Sequence, residues 1–351
     1  MYTNATTKKL FAGSVAIGGG APISIQSMLC AHAHDIDGNV RQALALQEAG
    51  CDIVRVSVPD IETIKTVYAL KQNIAIPLVA DIHFDWRLAI ESVAAGVDKV
   101  RINPGNIGDE TRVREVARAC REKNIPIRIG VNSGSLEKEF LARYGAATPE
   151  AMVESGLYHI SLLEKYDFND IVLSLKSSNV KRMYDAYVLA SEKCQYPLHL
   201  GVTEAGTENM GVIKSSAGIG GLLLRGIGDT LRISLTDEPV KEVAAAKKLL
   251  KALGIRNDGV KFVSCPTCGR TEIDLIGLAK RAEERFANIN KDITIAIMGC
   301  VVNGPGEASA ADIGIAGGKD CGVIFKGGKI IHNKVSEDKL LDVLEEEIKK
   351  L

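Results

Sequence analysis

The sequence predicts an α/β protein in which a (β/α)8 TIM barrel is followed by a small α+β domain. The chain has 351 residues, a length that corresponds to about two domains. Eight strand-like runs alternate with helical patterns over roughly the first 250 residues, which is typical of a closed barrel. The alternation stops after Gly254, where a different pattern of strands and helices begins. A doubly wound open sheet is the alternative, but such sheets usually have fewer strands and need a switch point.

The predicted barrel domain covers residues 1–254. Its strands are short runs rich in β-branched residues, and most are bounded by Gly or Pro. They are predicted at 23–28, 52–58, 77–83, 99–103, 126–132, 170–176, 197–203 and 230–236. The intervening segments have helical spacing, as at Val113, Val116 and Cys120, and an eighth helix is predicted at about 238–253.

The N-terminal segment resembles a secretory signal only faintly. Lys8 and Lys9 precede an apolar run over 10–17, but the run leads through three glycines directly into the first strand. A short hairpin before the first core strand explains it better. No uncharged apolar run reaches the ~18 residues of a membrane span. We therefore expect a cytoplasmic protein, in which thiols stay reduced and clustered cysteines bind metal.

The second predicted domain covers 255–351 and begins with a linker over 255–260. Its strands are predicted at 260–264, 293–298, 312–316 and 322–326, with helices at about 271–288 and 336–350. The glycine-rich stretch 218–228, in the first domain, only loosely resembles a dinucleotide-binding fingerprint. It lies on and after a helix, so we expect it to form a tight turn into the eighth strand.

The overall charge excludes one class of function. Lys and Arg total 43 and Asp and Glu total 44, giving a formal net charge of -1. A general nucleic-acid binder needs a broad excess of positive charge, so the balance argues against that class. Apolar residues make up 46% of the chain and charged residues 25%, as in an ordinary globular protein.

The barrel interior is predicted to be strongly cationic. Side chains alternate between the two faces of a strand, and the apolar face of each barrel strand must meet the helices. The polar face then points inward and presents Arg55, Asp81, His83, Arg101, Asn103, Arg128, Asn132, Lys176, Arg232 and Ser234. Salt bridges using Asp81 and Glu204 are the alternative explanation, but five cations face only these two carboxylates. Unpaired buried charge is costly, so we predict an anionic ligand, and a compact diphosphate fits well.

Three cysteines of the second domain have the arrangement of a metal site. Cys265 and Cys268 form a Cys-Pro-Thr-Cys motif after one strand, and Cys300 follows another. Zinc would need four tetrahedral ligands, whereas a cubic iron–sulfur cluster needs one ligand per iron. Three cysteines leave the fourth position to Glu307, to Cys321 or to an exogenous group. A redox dithiol at the Cys pair, with Cys300 merely buried, is the remaining alternative.

These motifs together resemble a known enzyme family. The matching segments are 80–85 (ADIHFD), 100–106 (VRINPGN), 126–132 (PIRIGVN), 197–206 (PLHLGVTEAG), 228–232 (GDTLR), 265–268 (CPTC) and 300–307 (CVVNGPGE). The family is the bacterial 4-hydroxy-3-methylbut-2-enyl-diphosphate synthases of the non-mevalonate isoprenoid pathway. The resemblance extends from about residue 13 to 345 and is most specific in the last motif.

The resemblance implies a reductive dehydroxylation. The substrate would be 2-C-methyl-D-erythritol 2,4-cyclodiphosphate, and two electrons would come from reduced flavodoxin or ferredoxin through a [4Fe–4S] cluster. The cluster ligands carry over to Cys265, Cys268, Cys300 and Glu307. The cationic interior carries over to the diphosphate site, and Glu204 would donate a proton to the departing hydroxyl. The family pairs two chains head to tail, so the resemblance also implies a homodimer.

The chain departs from the family pattern in the first strand–helix loop, at 29–34, so contacts that the family makes there are not carried over to this chain. Two other functions stay open. One is a non-redox barrel enzyme with a structural zinc domain, for which Glu307 would be an unusual ligand. The other is a non-enzymatic iron–sulfur sensor, which would not need a cationic barrel interior.

Overall fold

A computed structural model describes residues 6–102, 110–256, 259–287 and 289–351. The chain divides into two compact units, Met1–Leu253 and Gly254–Leu351. The first unit is a parallel barrel and the second contains a mixed sheet, so the predicted fold class is confirmed. Nowhere in these ranges is there a helix with the length and apolar character needed to cross a membrane.

The first unit opens with the predicted hairpin. Strands β1 (Leu10–Ala12) and β2 (Val15–Ile17) pair antiparallel, and Gly13 takes a positive φ of 54° in the turn. The buried side chains of the hairpin pack against inward-facing residues at the amino ends of the barrel strands. This apolar floor consists of Leu10, Ala12, Ile17, Ile53, Val79 and Val172.

Eight parallel strands within the described residues form a near-closed barrel. They are β3 (Ser24–Met28), β4 (Ile53–Ser57), β5 (Leu78–Ile82), β6 (Lys99–Ile102), β7 (Ile127–Asn132), β8 (Ile171–Lys176), β9 (His199–Leu200) and β10 (Thr230–Leu231). Neighbours follow the order β8-β7-β6-β5-β4-β3-β10-β9, and a parallel bridge between Leu173 and Leu198 links the two ends. Each predicted barrel strand is therefore present.

The last two barrel strands are much shorter than predicted, with two residues each instead of seven. Gly201 follows β9 directly, and glycine weakens a strand because it offers no side chain to pack. The Arg232 amide still donates to the Leu200 carbonyl at 3.0 Å. The chain thus stays alongside its neighbour after the regular ladder ends.

Helices surround the barrel strands. They are α1 (Ile36–Glu48), α2 (Ile64–Asn73), α3 (Trp86–Ala94), α4 (Glu110–Glu122), α5 (Lys138–Tyr144), α6 (Pro149–Glu164), α7 (Val180–Lys193), α8 (Glu208–Leu224) and α9 (Pro239–Ala252). Several begin at side-chain caps, as where Thr148 accepts from the Ala151 amide before Pro149 starts α6. After α8, Gly226 and Gly228 take positive φ values of 73° and 119° and lead into β10, which is the turn that the sequence predicts.

The second unit has a sheet of order β11-β12-β13-β14-β15 in its described part. The strands are β11 (Lys261–Ser264), β12 (Thr294–Met298), β13 (Ile313–Gly318), β14 (Cys321–Lys326) and β15 (Lys329–Ser336). The helices are α10 (Leu275–Phe286), α11 (Gly304–Glu307) and α12 (Leu340–Lys349). β15 and the short α11 were not predicted. β15 is mostly exposed, so it lacks the apolar alternation on which a strand prediction depends.

Candidate active site

A cavity of about 190 Å³ opens inside the barrel at the carboxyl ends of its strands. The residues that line it come from six of the eight strands, β3 to β8, and from the segments that follow β5, β9 and β10. They are Met28, Arg55, Asp81, His83, Arg101, Arg128, Gly130, Asn132, Ser174, Lys176, Thr203, Arg232 and Ser234. The alternation of side chains along each strand therefore brings together the inward-facing residues that the sequence predicts, apart from Asn103, which lies outside the described residues.

Asp81 is the central carboxylate of this cavity, with its side chain 2% exposed. Its Oδ1 accepts from Nη1 of Arg101 at 2.9 Å, and its Oδ2 lies 3.6 Å from Nε of Arg55 and 3.3 Å from Nε2 of His83. Burial acts to raise the pKa of Asp81, but Arg55 and Arg101 outweigh it and hold that pKa well below its usual value. Asp81 is therefore ionised and positions three cationic or protonatable groups.

Arg232 has a partner that the sequence analysis missed. Its Nε and Nη2 donate to the two carboxylate oxygens of Glu242, on α9, at 2.9 and 2.8 Å. Glu242 is 2% exposed and also accepts from the Ser27 hydroxyl at 2.7 Å. The side chain holds Arg232 in a bidentate pair, although helix periodicity alone gives no signal that Glu242 reaches the barrel interior.

The predicted charge count of the interior needs correction at Glu204. This residue is exposed after β9, with a positive φ of 52°, and is not among the residues that line the cavity. The second interior carboxylate is Glu242 instead. The predicted site residue Asn103 lies outside the described residues.

Two inward-facing glycines leave room for the cations. A Cβ atom on Gly130 would lie 2.6 Å from Nε of Arg101, and one on Gly201 would lie 2.8 Å from Cε of Lys176. Any larger residue at either position would displace the cation beside it. A larger groove, of about 570 Å³, lies at the amino ends of β9 and β10. Catalytic sites of barrels lie at the carboxyl ends, so the smaller, cationic cavity is the candidate site.

The second unit has its own cavity, of about 230 Å³, at the predicted cysteine motif. Strands β11 and β12 run parallel with Ser264 opposite Ile297, so Cys265, directly after β11, and Cys300, two residues after β12, lie at the same edge of the sheet. Cys268 and Glu307 complete the four predicted ligands, and all four line this cavity. Cys321 does not appear in the lining.

Glu307 owes its place to a tightly packed short helix. A Cβ atom on Gly304, where α11 begins, would lie 2.9 Å from side-chain carbons of Met298 and Ala316. Only glycine lets α11 approach the sheet this closely, and the helix then presents Glu307 to the cavity.

Hydrogen bonds surround the thiols. The Gly299 amide donates to Sγ of Cys265 at 3.2 Å, and backbone and side-chain hydrogen bonds from Arg270 lower the pKa of the Cys268 thiol. A thiolate is the form that ligates metal, so both features favour ligation. Among the described residues, no three His, Cys, Asp or Glu side chains converge closely enough to hold a single metal ion.

Comparison with known proteins matches both units to one family. The GcpE TIM-barrel domain matches residues 7–247, and the GcpE protein C-terminal domain matches residues 261–350. The chain belongs to the GcpE family. Two curated GcpE relatives carry the name 4-hydroxy-3-methylbut-2-en-1-yl diphosphate synthase (flavodoxin). The Clostridium perfringens protein is 56% identical over 96% of this chain and 97% of its own length. The protein of Caldanaerobacter subterraneus subsp. tengcongensis is 56% identical over 98% of this chain and 97% of its own.

Two solved structures resemble this GcpE chain in the fold of its barrel. Dihydropteroate synthase from Yersinia pestis matches with a TM-score of 0.51 and 15% identity, over 71% of this chain and 99% of its own. The Xanthomonas albilineans enzyme in complex with 7,8-dihydropteroate has a TM-score of 0.50 and 16% identity, over 70% and 97% of the two chains.

The GcpE barrel also holds buried polar groups that the sequence analysis did not single out. Lys99 and His199 are both 0% exposed, and Gln26 accepts from Nη1 of Arg128 at 3.2 Å. Lys99 has the same strand parity as Arg101 and could have been found by extending the alternation two residues toward the amino end. Lys99 is therefore a sixth basic side chain in the interior, in addition to the five that the sequence analysis predicts.

Proposed function

We propose that this chain converts 2-C-methyl-D-erythritol 2,4-cyclodiphosphate to 4-hydroxy-3-methylbut-2-enyl diphosphate. The reaction is a two-electron reductive ring opening and dehydroxylation in isoprenoid precursor biosynthesis, in which one oxygen leaves as water. The single observation that carries the proposal is the cationic cavity at the carboxyl ends of the barrel strands, which suits a diphosphate. The names of the curated relatives agree with it.

The barrel residues divide into two groups in this proposal. The diphosphate is bound by Arg55, Arg101, Arg128, Lys176, Arg232 and Ser234. Their cationic groups point into one small cavity, and arginine can contact phosphate oxygens in a bidentate manner. Asp81, His83, Asn103 and Asn132 orient the polyol. Glu204, exposed beside Thr203 of the cavity lining, donates the proton to the departing hydroxyl.

The second unit fits a [4Fe–4S] cluster by the chemistry of its donors. Three thiols and one carboxylate, from Cys265, Cys268, Cys300 and Glu307, line one cavity, as a cubic cluster with one ligand per iron requires. The volume of about 230 Å³ is below the ~300–1,000 Å³ of pockets for organic ligands. When bound, the cluster supplies single electrons to the substrate. Glu307 would be the one carboxylate among the four ligands, a donor that iron would hold less firmly than a thiolate.

The partners follow from the same proposal. Reduced flavodoxin is the electron donor, in agreement with the word flavodoxin in the relatives' names, and ferredoxin is the alternative. The enzyme works in the cytoplasm, where its thiols stay reduced, and it acts as a homodimer. Light scattering at micromolar concentration is expected to give twice the 37.6 kDa of one chain, and a monomer mass would contradict the dimer.

One anaerobic experiment tests the proposed activity. The protein is purified without oxygen, assayed for iron, sulfide and zinc, and incubated with the cyclic diphosphate and a strong reductant. Iron and sulfide in equal amounts, together with formation of the product, are expected. Zinc without sulfide would support a structural zinc domain instead. A loaded cluster with no turnover would support an iron–sulfur sensor.

A further inference from the structure

The amino group of Lys99 lies in the barrel interior without a partner. Lys99 is 0% exposed, and its Nζ forms no hydrogen bond with any described residue. Its register partner on β5 is Val79, which belongs to the apolar floor. Two residues further along β6, Arg101 lines the cavity. The Lys99 side chain therefore lies between the floor and the candidate diphosphate site.

The charged groups that face Lys99 are mostly cationic. Arg55 on β4 and Arg128 on β7 both repel a charge on Lys99, and His199 on β9 is close enough to interact with it. The nearest carboxylate on a neighbouring strand is Asp81, which Arg55 and Arg101 already engage. No free carboxylate in the described interior is thus left to neutralise an ammonium at this position.

This arrangement favours the neutral form of the Lys99 amine. Burying an unpaired ammonium is costly, and a lysine in such surroundings loses its proton instead. Burial, and then the charges of Arg128 and Arg55, hold the pKa of Lys99 well below its usual value. A charged ammonium is therefore disfavoured at this position unless negative charge is brought near it.

We propose that Lys99 takes up a proton from solvent when a diphosphate binds in the cavity above it. The ligand brings negative charge between the cations that had repelled an ammonium there, so the field at Lys99 changes sign. Lys99 then acts as a positioning residue that completes the cationic site only when the site is occupied. This inference rests on the proposed function, because it requires a diphosphate in the barrel.

Isothermal titration calorimetry with inorganic pyrophosphate tests the proposal on the intact cluster-loaded protein. Titrations at one pH in buffers of different ionisation enthalpy give the number of protons exchanged on binding. We compare the wild type with Lys99→Met and with Lys181→Met, whose exposed lysine serves as the matched control. Pyrophosphate's own change of protonation is common to all three proteins, so their differences isolate the lysines.

The expected result is that Lys99→Met takes up about one proton fewer than the wild type, while Lys181→Met matches the wild type. The affinity of Lys99→Met for pyrophosphate falls about tenfold. Because binding takes up a proton, the wild-type affinity falls as pH rises, and this dependence is flatter in Lys99→Met. Equal proton uptake in wild type and Lys99→Met would overturn the proposal.

Two further measurements test whether Lys176 takes up the proton instead and whether Lys99→Met still folds. Lys176 is also buried beside the same arginines, so Lys176→Met is titrated in parallel. If Lys176→Met alone removed the proton uptake, Lys99 would have no part in it. Lys99→Met is expected to fold at least as stably as the wild type, since an apolar side chain replaces an unpaired amine. If the wild type does not bind pyrophosphate at all, the proposed function fails.

Discussion

At the scale of single residues, the barrel site depends on one ionised carboxylate among several cations. Asp81 engages Arg55, Arg101 and His83 at once, and its side chain is almost completely buried. Because these partners hold the pKa of Asp81 below its unfolded value of about 3.9, the carboxylate stabilises the folded state at all pH values above about 4. That stabilisation declines as pH falls from about 4 toward the folded pKa.

Asp81→Asn is predicted to lower the free energy of unfolding by about 3–5 kcal/mol at pH 7, because it leaves buried arginines without a charge partner. The difference from wild type should shrink below pH 4. Urea unfolding followed by the fluorescence of Trp86, the single tryptophan, measures it in the barrel unit. Asp185→Asn, which breaks an exposed pair with Lys181, serves as the control and should cost at most about 1 kcal/mol. A difference that is constant from pH 7 to pH 3 would contradict the linkage.

A second prediction at the residue scale distinguishes Glu307 from Cys321 as the fourth cluster ligand. Glu307→Ala is predicted to retain some iron and sulfide but to lose turnover, since only the carboxylate position is affected. Cys321→Ser should keep both cluster and activity, because Cys321 lies outside the cavity lining. Iron and sulfide assays with anaerobic turnover check the pair of variants. Wild-type turnover in Glu307→Ala would refute its assignment as a ligand.

At the scale of elements, the turn before β10 requires glycine for two separate reasons. Gly228 has a φ of 119°, and a Cβ atom there would lie 2.3 Å from Cδ1 of Leu200 on β9. Gly96 has a φ of 89°, but its Cβ position is open, with no atom within 4 Å. Substitution at Gly96 would therefore introduce backbone strain alone, whereas substitution at Gly228 would add a steric clash.

Gly96→Ala is predicted to cost about 1–2 kcal/mol from backbone strain alone. Gly228→Ala should cost more, because Leu200 or β10 must also shift. Equilibrium urea unfolding followed by Trp86 fluorescence compares the two variants with wild type. Equal losses would mean that the turn relaxes freely around the added methyl group.

The elements also show which features a sequence can predict. Strand parity was enough to place Arg55, Asp81, Arg101, Arg128 and Lys176 in one cavity, because alternation along a strand is a local property. The partnership of Glu242 with Arg232 was missed because it joins a helix to a strand through tertiary packing. The length of β9 was overestimated because propensity does not reveal where a ladder ends. Glu307 was named from its motif, but α11, the helix that carries it, was not predicted because it is too short to show periodicity.

At the scale of the whole molecule, a net charge of -1 conceals an uneven distribution. The barrel interior concentrates cations around Asp81 and Glu242, while many acidic side chains lie on the surface, such as Glu345 and Glu346 on α12. An anion that binds inside relieves repulsion among the cations as well as forming its own contacts. Stability and binding are therefore coupled in the barrel unit.

Pyrophosphate is predicted to stabilise the barrel unit against urea, by about 2.7 kcal/mol at a concentration 100 times its Kd. Potassium chloride at the same ionic strength should have a much smaller effect, since general screening does not occupy the site. The stabilisation should be largely lost in Arg128→Met. An equal shift from both salts would show that pyrophosphate acts only through ionic strength.

The hairpin of β1 and β2 has a consequence for how substrate enters the barrel and how product leaves it. Because Leu10, Ala12 and Ile17 pack across the amino ends of the strands, the described part of the barrel interior is closed at that end, and its opening is at the carboxyl ends. Substrate must therefore enter, and product must leave, through this opening, one after the other. A diphosphate product that stays bound inside prevents the next substrate molecule from binding. The product is therefore expected to be a competitive inhibitor with respect to substrate.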